Sequence, residues 1–382
     1  MNTVLNAISR FGYRHIAKPI LFSLPPDTVH EGLMQVGSRV QKIRPLRSLL
    51  TTSWRYDNPA ALSQDIAGIT YENPVGLSAG FDKNIQLLPL LKAIGFGFVT
   101  GGSVTYEPCA GNPRPWFYRL PKSKSLVVNA GLANQGINAV GQRVQGYPKA
   151  TFAHSVLSIS VAKANSPEVV SDEDGIADYI GSLRDIKTHH LSEVVEINIS
   201  CPNTYGGEPF TTPERLEALL VEVDKLHLSQ PVYIKMPQSL PWQEFQELLE
   251  VIVSHQVTGV TIANLAKNRH EITLADDLPD TIPGNLSGKP TADKANELIA
   301  ATYRQYGDTL VIIGVGGIFS AEDAYRKIKL GASLVGLVTG LIFEGPQLIG
   351  QINKDLVELL QRDGYTHISQ AIGVDNPRTP TA

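Results

Sequence analysis

Short apolar runs alternate with longer helical patterns along the chain after residue 60. Continuous apolar runs with many β-branched residues are typical of strands buried on both faces of a parallel sheet. Eight such runs occur, at 73–80, 95–103, 155–162, 194–200, 231–236, 259–264, 309–317 and 332–340. Segments between them, such as TPERLEALLVEVDKLHL and SAEDAYRKIKLG, have the spacing of amphipathic helices. Eight strand-and-helix units predict an α/β fold, a (β/α)8 TIM barrel. A doubly wound sheet is the alternative, but it more often has about five to seven strands and an early glycine fingerprint.

Polar residues and glycines follow these runs at their carboxyl ends. They are SAGFDKN after the first strand, GGS after the second, NISCPN after the fourth, IANLAKN after the sixth, GVGG after the seventh and VTG after the eighth. Active sites of (β/α)8 barrels lie at this end of the strands. The sequence therefore predicts a functional site there.

The first 50 residues differ from the remainder in charge. They carry seven basic and two acidic side chains, a balance of +5, whereas the rest carries 26 basic and 35 acidic ones. We interpret this change as a boundary between an N-terminal helical extension, residues 1–50, and a barrel domain, residues 51–382. Pro25 and Pro26 divide the extension into two short predicted helices.

The extension contains no apolar run near the roughly 18 residues that a membrane-spanning helix needs. In its second helix Leu33, Val36, Val40 and Ile43 recur at helical spacing. In its first helix the apolar residues are interleaved with Arg10, Arg14 and Lys18. Two interpretations stay open: a basic amphipathic pair that lies on a membrane surface, or a hairpin that covers one end of the barrel. The first 26 residues carry no acidic side chain, so a mitochondrial presequence also stays open.

The composition and charge of the chain argue against several classes of protein and of site. A net charge of −4 and a pI near 6.2 argue against a nucleic-acid-binding protein. Two cysteines, Cys109 and Cys201, cannot form a disulfide framework and suggest a reducing compartment. No zinc-type spacing is present, so we expect no metal site.

Cys201 stands just past the fourth strand, between Asn198 and Asn203. The thiol could be a nucleophile, a base or a small buried apolar group. Three polar residues at one strand end are poor core material, which favours a chemical role.

Glycines after the last two strands, in GVGGI and VTGLIF, could bind a phosphate through backbone N–H groups. A tight turn is the simpler interpretation of either motif alone. Together with the Asn and Lys residues at the same barrel end, they favour flavin mononucleotide (FMN) over a dinucleotide.

The sequence resembles the dihydroorotate dehydrogenases in NPVGLSAGFDKN, GFGFVTGGSVTYEPCAGNPRPWFYRL, NISCPNT, PVYIKM, LSGKP and the segment from VIIGVGGIF to EGPQLI. These stretches extend over residues 73–350. The two-helix extension is similar to that of the membrane-associated, quinone-using branch. That branch normally carries a serine as its base, whereas Cys201 matches the soluble branch.

The resemblance implies FMN-dependent oxidation of (S)-dihydroorotate to orotate in de novo pyrimidine (UMP) biosynthesis, with electrons passed to a quinone. Cys201 would remove the proton from C5 while a hydride leaves C6. A thiol with the ordinary pKa of about 8.5 could do so without a partner histidine. A peripheral location on the cytoplasmic side of the inner or plasma membrane is also implied, or alternatively at the mitochondrial inner membrane.

The resemblance also implies which residues contact each small molecule. The substrate-binding residues are Lys83, Asn129, Gly131, Leu132, Asn198, Asn203 and Asn264. The FMN-binding residues are Ala79, Gly80, Lys83, Ser103, Ser160, Asn198, Lys235, Ala263, Gly288, Gly317, Val338 and Thr339.

Three positions depart from the family pattern. Val128 and Ser160 stand where the family commonly has Asn, and Leu265 stands where it has Thr or Ser. Each loss of a hydrogen-bonding group at a polar substrate costs about 1–3 kcal/mol. A related flavin enzyme acting on another dihydropyrimidine or cyclic enone is therefore a second hypothesis, and a non-catalytic barrel is a third.

Overall fold

The fold is a closed barrel of eight parallel strands, seen in a computed structural model that describes residues 1–153, 155–205 and 207–378. Residues 379–382 of the predicted barrel domain lie outside the described residues. The strands are β1 Val75–Leu77, β2 Phe98–Val104, β3 Val156–Val161, β4 Val194–Asn198, β5 Val232–Lys235, β6 Gly259–Ile262, β7 Val311–Val315 and β8 Leu334–Leu337. Each pairs in parallel with the next, and β8 pairs with β1 to close the ring. The predicted (β/α)8 barrel is confirmed, since a doubly wound sheet does not close.

Helices surround the barrel and also form the N-terminal extension that precedes it. Their bounds are α1 Thr3–Gly12, α2 Lys18–Ser23, α3 Pro26–Val40, α4 Arg44–Trp54, α5 Pro59–Leu62, α6 Leu88–Ala93, α7 Gly136–Gln145, α8 Asp172–His189, α9 Pro213–Asp224, α10 Trp242–Ile252, α11 Ala292–Tyr306, α12 Ala321–Lys329, α13 Thr339–Glu344 and α14 Leu348–Arg362. Short 3-10 turns occupy Lys149–Thr151, Arg269–Glu271, Lys289–Thr291 and Ile368–Ala371.

The amino-terminal end of the barrel is filled with large side chains. Phe98, Val194 and Tyr233 point inward from β2, β4 and β5 and form one buried cluster. An antiparallel hairpin of Gln64–Ile66 and Ile69–Tyr71 closes this end from below, and the Tyr71 ring meets Phe98 edge-on at 5.9 Å. This end is therefore a packed core, which leaves the carboxyl end for a site.

A three-stranded antiparallel sheet stands over the carboxyl end of the barrel. Its strands are Phe117–Leu120, Ser125–Val128 and Asn285–Gly288. Two come from the excursion after β2 and the third from the excursion after β6. The sequence analysis did not predict this sheet, because its strands are only four residues long and its third strand pairs with the second from more than 150 residues away, as in the pair Asn285 and Val128.

The N-terminal extension is helical, as predicted, and turns at Leu24 and Pro25. A π-helical turn at Tyr13–Ala17 joins α1 to α2, so that the first predicted helix is continuous over 3–23. A further helix, α4, contains the predicted boundary at residue 50. Within the described residues, no helix has the length and apolarity needed to cross a bilayer.

Candidate active site

A large cavity opens at the carboxyl ends of the barrel strands. It encloses about 1510 Å³, part of which is open to solvent. The loops after the strands form its floor, the three-stranded sheet forms one side, and α3 of the extension forms its outer edge. A ligand site at this end is what the barrel fold favours.

Most residues that the sequence analysis assigned to substrate or FMN lie around this one cavity. They are Ala79, Gly80, Lys83, Ser103, Gly131, Leu132, Asn198, Cys201, Asn203, Lys235, Ala263, Asn264, Gly288, Gly317, Val338 and Thr339. The departing residues Val128 and Leu265 line it as well.

Asn129 and Ser160 are not brought to the cavity wall. The Asn129 side chain accepts a hydrogen bond from Asn112 Nδ2 at 3.0 Å. Ser160 is fully buried in β3, with its hydroxyl 2.8 Å from that of Ser103. Ser160 therefore supports a cavity residue from below rather than forming the cavity surface.

Cys201 lies at the cavity wall, beside a small apolar cluster of Cys109, Leu132 and Ala162. Burial raises the pKa of this thiol to about 11, although the nearby Lys235 ammonium acts in the opposite direction. The expectation of an ordinary thiol pKa is therefore wrong for this protein, because burial of the thiol disfavours its charged form.

Lys83 is a buried cation without a hydrogen-bonded partner. Its Nζ is shielded from solvent and bonds to no described atom, while it stands 4.9 Å from the Trp116 ring centre and 5.1 Å from that of Phe117. Burial lowers the Lys83 pKa to about 8. Burial, assisted by Lys83, also lowers the pKa of neighbouring His30 to about 4, so that this ring is neutral at pH 7. An unpaired buried ammonium of this kind is suited to an anionic ligand.

The amides after β4 and β6 form a hydrogen-bonded group. Asn198 Nδ2 donates to Ser103 Oγ at 2.9 Å, and Asn264 Nδ2 donates to the Ser200 carbonyl at 2.5 Å and lies 3.3 Å from Asn198 Oδ1. Each amide carries two N–H donors and an oxygen with two lone pairs. The network fixes the orientation of these side chains. It leaves some of their donors and acceptors free to bind a ring that carries N–H and C=O groups.

Asn203 is held by residues that sequence reasoning missed. Its Nδ2 donates to the Val128 carbonyl at 2.9 Å, and its Oδ1 accepts from Asn285 Nδ2 at 2.5 Å. Its own carbonyl accepts from Asn112 Nδ2 at 3.0 Å. Asn112 and Asn285 lie in the two excursions that cover the barrel. Asn112 stands within the shared segment that contains GNPRPW, and Asn285 directly precedes the shared segment LSGKP, so these positions were the signal that could have found them.

The loop after β7 lines the cavity and contributes three backbone N–H groups. Those of Gly316, Gly317 and Ile318 donate to no acceptor among the described residues. Gly317 has a φ of +72°, and a Cβ there would come within 2.4 Å of Ala292 Cβ, so the loop requires glycine. The Ser287 and Thr339 hydroxyls, 2.9 Å apart, lie beside these amides. Unpaired N–H groups and hydroxyls form a donor set that suits a phosphate.

These features fit FMN. The donors near Gly317 suit its phosphate, and Lys235 Nζ, which bonds to no described group, lines the same cavity. Gly80 has a φ of +110° and open space where a Cβ would stand, which leaves room against the cavity floor.

The outer part of the cavity is mostly apolar, although Arg119 and His30 are among its lining residues. Pro26, Val29 and Leu33 of α3 face Phe117, Phe319 and Ile342 across it. This mouth opens beneath the extension rather than directly into bulk solvent.

No group of His, Cys, Asp and Glu side chains in the described part of the chain is arranged to hold a metal ion.

Comparisons with known families and proteins give one consistent result. The family model described as "Dihydroorotate dehydrogenase" matches residues 61–360. A curated "Dihydroorotate dehydrogenase (quinone)" of Sulfurovum sp. is 35% identical over 367 residues, covering 96% of this chain and 99% of the relative. The protein of the same name from Haloarcula marismortui is 33% identical over 368 residues, covering 94% of this chain and 98% of the relative.

Solved structures share the fold at lower identity. DHODH from Eimeria tenella, in complex with ferulenol, superposes with a TM-score of 0.78 at 23% identity, covering 93% of this chain and 98% of that chain. The ligand-free form of DHODH from the same organism gives a TM-score of 0.79 at 24% identity, covering 92% and 99%.

Proposed function

The chain belongs to the dihydroorotate dehydrogenase family, and from this we propose that it oxidises (S)-dihydroorotate to orotate with FMN as cofactor and a quinone as electron acceptor. This reaction belongs to de novo pyrimidine biosynthesis. The single observation that best supports the proposal is one cavity lined by the buried Lys83 ammonium, which has no hydrogen-bond partner among the described residues, by the Cys201 thiol and by the Asn198–Asn264 amides.

Lys83 binds the substrate carboxylate. A charge-assisted hydrogen bond to a carboxylate satisfies the Nζ that otherwise has no acceptor. Asn198, Asn203 and Asn264 pair with the N–H and C=O groups of the pyrimidine ring, which restricts its rotation in the cavity.

Cys201 removes the proton from substrate C5. Its thiol must first be deprotonated, and burial opposes this step by raising its pKa. Lys235 favours the thiolate, and its charge would also favour a negative charge on a reduced flavin. FMN held in this cavity would supply the hydride acceptor for C6 and the electrons that pass to the quinone.

The apolar outer mouth holds the quinone. Val29 and Leu33 of α3 provide an apolar path from the cavity to the outside of the extension. A quinone is membrane-soluble, so an entrance beneath exposed apolar helices gives it direct access. We therefore propose a peripheral attachment to the membrane through the extension, on the cytoplasmic side of the inner or plasma membrane.

A titration tests this function. The purified protein is expected to be yellow with absorbance near 450 nm, a wavelength typical of flavins, and dihydroorotate should bleach it under anaerobic conditions. A soluble quinone should then restore the colour. A colourless protein that binds no FMN, or a yellow one that dihydroorotate leaves unchanged, would contradict the proposal.

The second candidate is a flavin oxidoreductase for another dihydropyrimidine or a cyclic enone. Val128 and Leu265 favour it, because both place apolar side chains on the cavity wall where the family has polar ones. Bleaching by dihydrouracil or a cyclic enone, and not by dihydroorotate, would support this candidate.

A further inference from the structure

A polar groove lies between α3 and the barrel, on another side of the extension from the apolar mouth. From α3 and the turn after it the groove is lined by His30, Arg39 and Lys42, among others, and from the barrel by Lys83, Asn84 and Gln135. We call it the α3 groove. His30 and Lys83 also line the active-site cavity, so the two spaces meet at these residues.

The α3 groove carries unbalanced positive charge. Arg39 and Lys42 have no ion pair or side-chain hydrogen bond to any residue that the structure describes. The one acidic residue in its described lining, Glu31, is paired with Arg114 across its edge. At its inner end stands the Lys83 Nζ, which is buried and without an acceptor.

The wall between groove and cavity is thin. Cys109 lines the groove, Leu132 lines the cavity, and the two pack together in one cluster with Cys201 at its edge. Trp116, whose ring lies 4.9 Å from Lys83 Nζ, also lines the groove. An anion that reaches the inner end of the groove is therefore next to the cation assigned to the substrate.

The other opening is less suited to an anion. Its outer lining contains Val29, Leu33 and Phe117, and its cation Arg119 already donates to the carbonyls of Phe22 and Leu24, so a carboxylate passing through it would lose hydration with little compensation.

We propose that the α3 groove collects anions and is the entrance through which the carboxylate substrate reaches Lys83, separate from the apolar mouth. The identity of the anion rests on the proposed function. Fixed charges along a cleft raise the rate of encounter with an oppositely charged ligand, and salt screens this effect. Arg39 and Lys42 thus act on substrate association and not on the chemical step.

Stopped-flow reduction of the flavin in the full-length holoprotein tests the route. In Arg39→Gln/Lys42→Gln, the second-order rate constant for dihydroorotate should fall about 3- to 10-fold at ~10 mM ionic strength and approach the wild-type value at ~0.5 M. The limiting rate at saturation should not change. The control Arg44→Gln/Arg47→Gln removes the same charge from the extension outside the groove and should show less than half of this effect.

A variant that narrows the groove distinguishes passage through the α3 groove from general electrostatic attraction of the anion to the protein. Ala110 is exposed in the groove lining. Ala110→Trp should slow association at all salt concentrations while preserving the limiting rate. Wild-type association in both Arg39→Gln/Lys42→Gln and Ala110→Trp, or equal loss in the Arg44→Gln/Arg47→Gln control, would overturn the proposal.

A second measurement does not depend on the reaction. In a Trp54→Phe/Trp242→Phe background, Trp116 reports on the groove through quenching by iodide, an anion, or by neutral acrylamide. Arg39→Gln/Lys42→Gln should lower the iodide quenching constant at least twofold and leave that for acrylamide unchanged. Unchanged iodide quenching would refute anion collection even if dihydroorotate proves not to be the substrate. Failure of dihydroorotate to reduce the wild type, with the iodide effect present, would instead refute the proposed function alone.

Discussion

Lys83 is a side chain whose burial is unfavourable for stability but suits the binding of an anion. Its Nζ is buried against Trp116 and Phe117, where the ring faces replace only part of its lost hydration. Burial consequently lowers its pKa to about 8, so that it is mostly protonated at pH 7. A bound carboxylate would supply the hydrogen-bond acceptor that the Lys83 Nζ lacks. Such a residue therefore serves anion binding rather than the stability of the ligand-free protein.

Replacing Lys83 by Met is predicted to weaken orotate binding about 10- to 100-fold, because a hydrogen bond to a charged group is worth about 1.5–3 kcal/mol. The measurement is the dissociation constant from flavin absorbance changes. Lys122→Met, at an exposed position, is the matched control and should bind orotate normally. Equal affinity in Lys83→Met and wild type would contradict the assignment.

Orotate affinity is also predicted to decline as pH rises through about 8. The Lys83 pKa is lowered from its usual value, so the cation is lost at a lower pH than for an exposed lysine. The same absorbance titration, repeated between about pH 6.5 and 9.5, measures it. Constant affinity up to pH 9.5 would show that Lys83 keeps its charge or does not contact the anion.

Cys201 has the opposite pH dependence. Its pKa is raised to about 11, so the thiolate accumulates only as pH increases. We predict that the limiting rate of flavin reduction rises with pH beyond the ordinary thiol pKa of about 8.5. A rate that levels off below pH 8 would contradict this prediction.

Variants at Cys201 distinguish a thiol that acts as a base from one that has only a structural role. Cys201→Ala should lower the limiting rate about 10²- to 10⁴-fold, the range expected for loss of a general base, while the protein keeps its flavin. Cys201→Ser keeps a group that can transfer a proton and should retain part of the rate with an altered pH profile. A limiting rate for Cys201→Ala close to that of the wild type would leave no base role for this position.

At the scale of elements, one buried carboxylate connects the extension to the barrel. Glu344, at the end of α13, pairs with Arg14 of the π-helical turn and with Lys124 at 2.9 Å. Burial alone would raise the pKa of Glu344, but the hydrogen bonds from Lys124 and Arg14 outweigh it and lower the pKa. The pairing therefore stabilises the docked extension above the ordinary carboxyl pKa, and this contribution is lost as pH falls through the lowered one.

Glu344→Gln is predicted to loosen the extension without unfolding the barrel. Both cations are partly exposed, so we expect a cost of about 1–2 kcal/mol, or roughly 5- to 30-fold faster amide exchange over residues 3–23. Hydrogen exchange with mass spectrometry at pH 7 measures it. Glu358→Gln, which removes an exposed i,i+4 partner of Lys354, should leave these residues unchanged. Equal exchange in both variants would contradict a role for the Glu344 pairs.

The elements themselves show what a local pattern can and cannot predict. Seven of the eight apolar runs contain a whole barrel strand and the run 95–103 contains all of β2 except Val104, because burial on both faces requires apolar residues throughout. The strands Phe117–Leu120, Ser125–Val128 and Asn285–Gly288 were not predicted, since each is only four residues long and the third pairs with the second across more than 150 residues of chain.

At the scale of the molecule, apolar surface is concentrated on the extension. Val4, Ile8 and Phe11 of α1 are 68%, 62% and 63% exposed, and Val36 of α3 is 54% exposed. Such exposure is unusual for large apolar side chains when it is clustered. It lies on the basic part of the chain, whereas the acidic part forms the barrel.

The protein is therefore predicted to bind vesicles that contain anionic lipids. Co-sedimentation should be strong with a phosphatidylglycerol mixture, weaker with neutral phosphatidylcholine, and reduced by salt. Ile8→Glu/Phe11→Glu should abolish most of the binding, while Ile8→Leu/Phe11→Leu should preserve it. Retained binding in the glutamate variant would place the membrane contact elsewhere.

The sequence by itself determined the barrel, the position of the site and most of its wall, because strand periodicity and the residues at strand ends are local properties of the chain. It also located Cys201, Lys83 and the amides Asn198, Asn203 and Asn264 at one end. Only the tertiary structure decided that Asn129 and Ser160 do not line the cavity and that Asn112 and Asn285 position Asn203. It also decided the raised pKa of Cys201, the lowered pKa of Lys83 and the groove beneath α3. These properties arise from contacts and burial between segments far apart in the chain, which no local pattern of residues can specify.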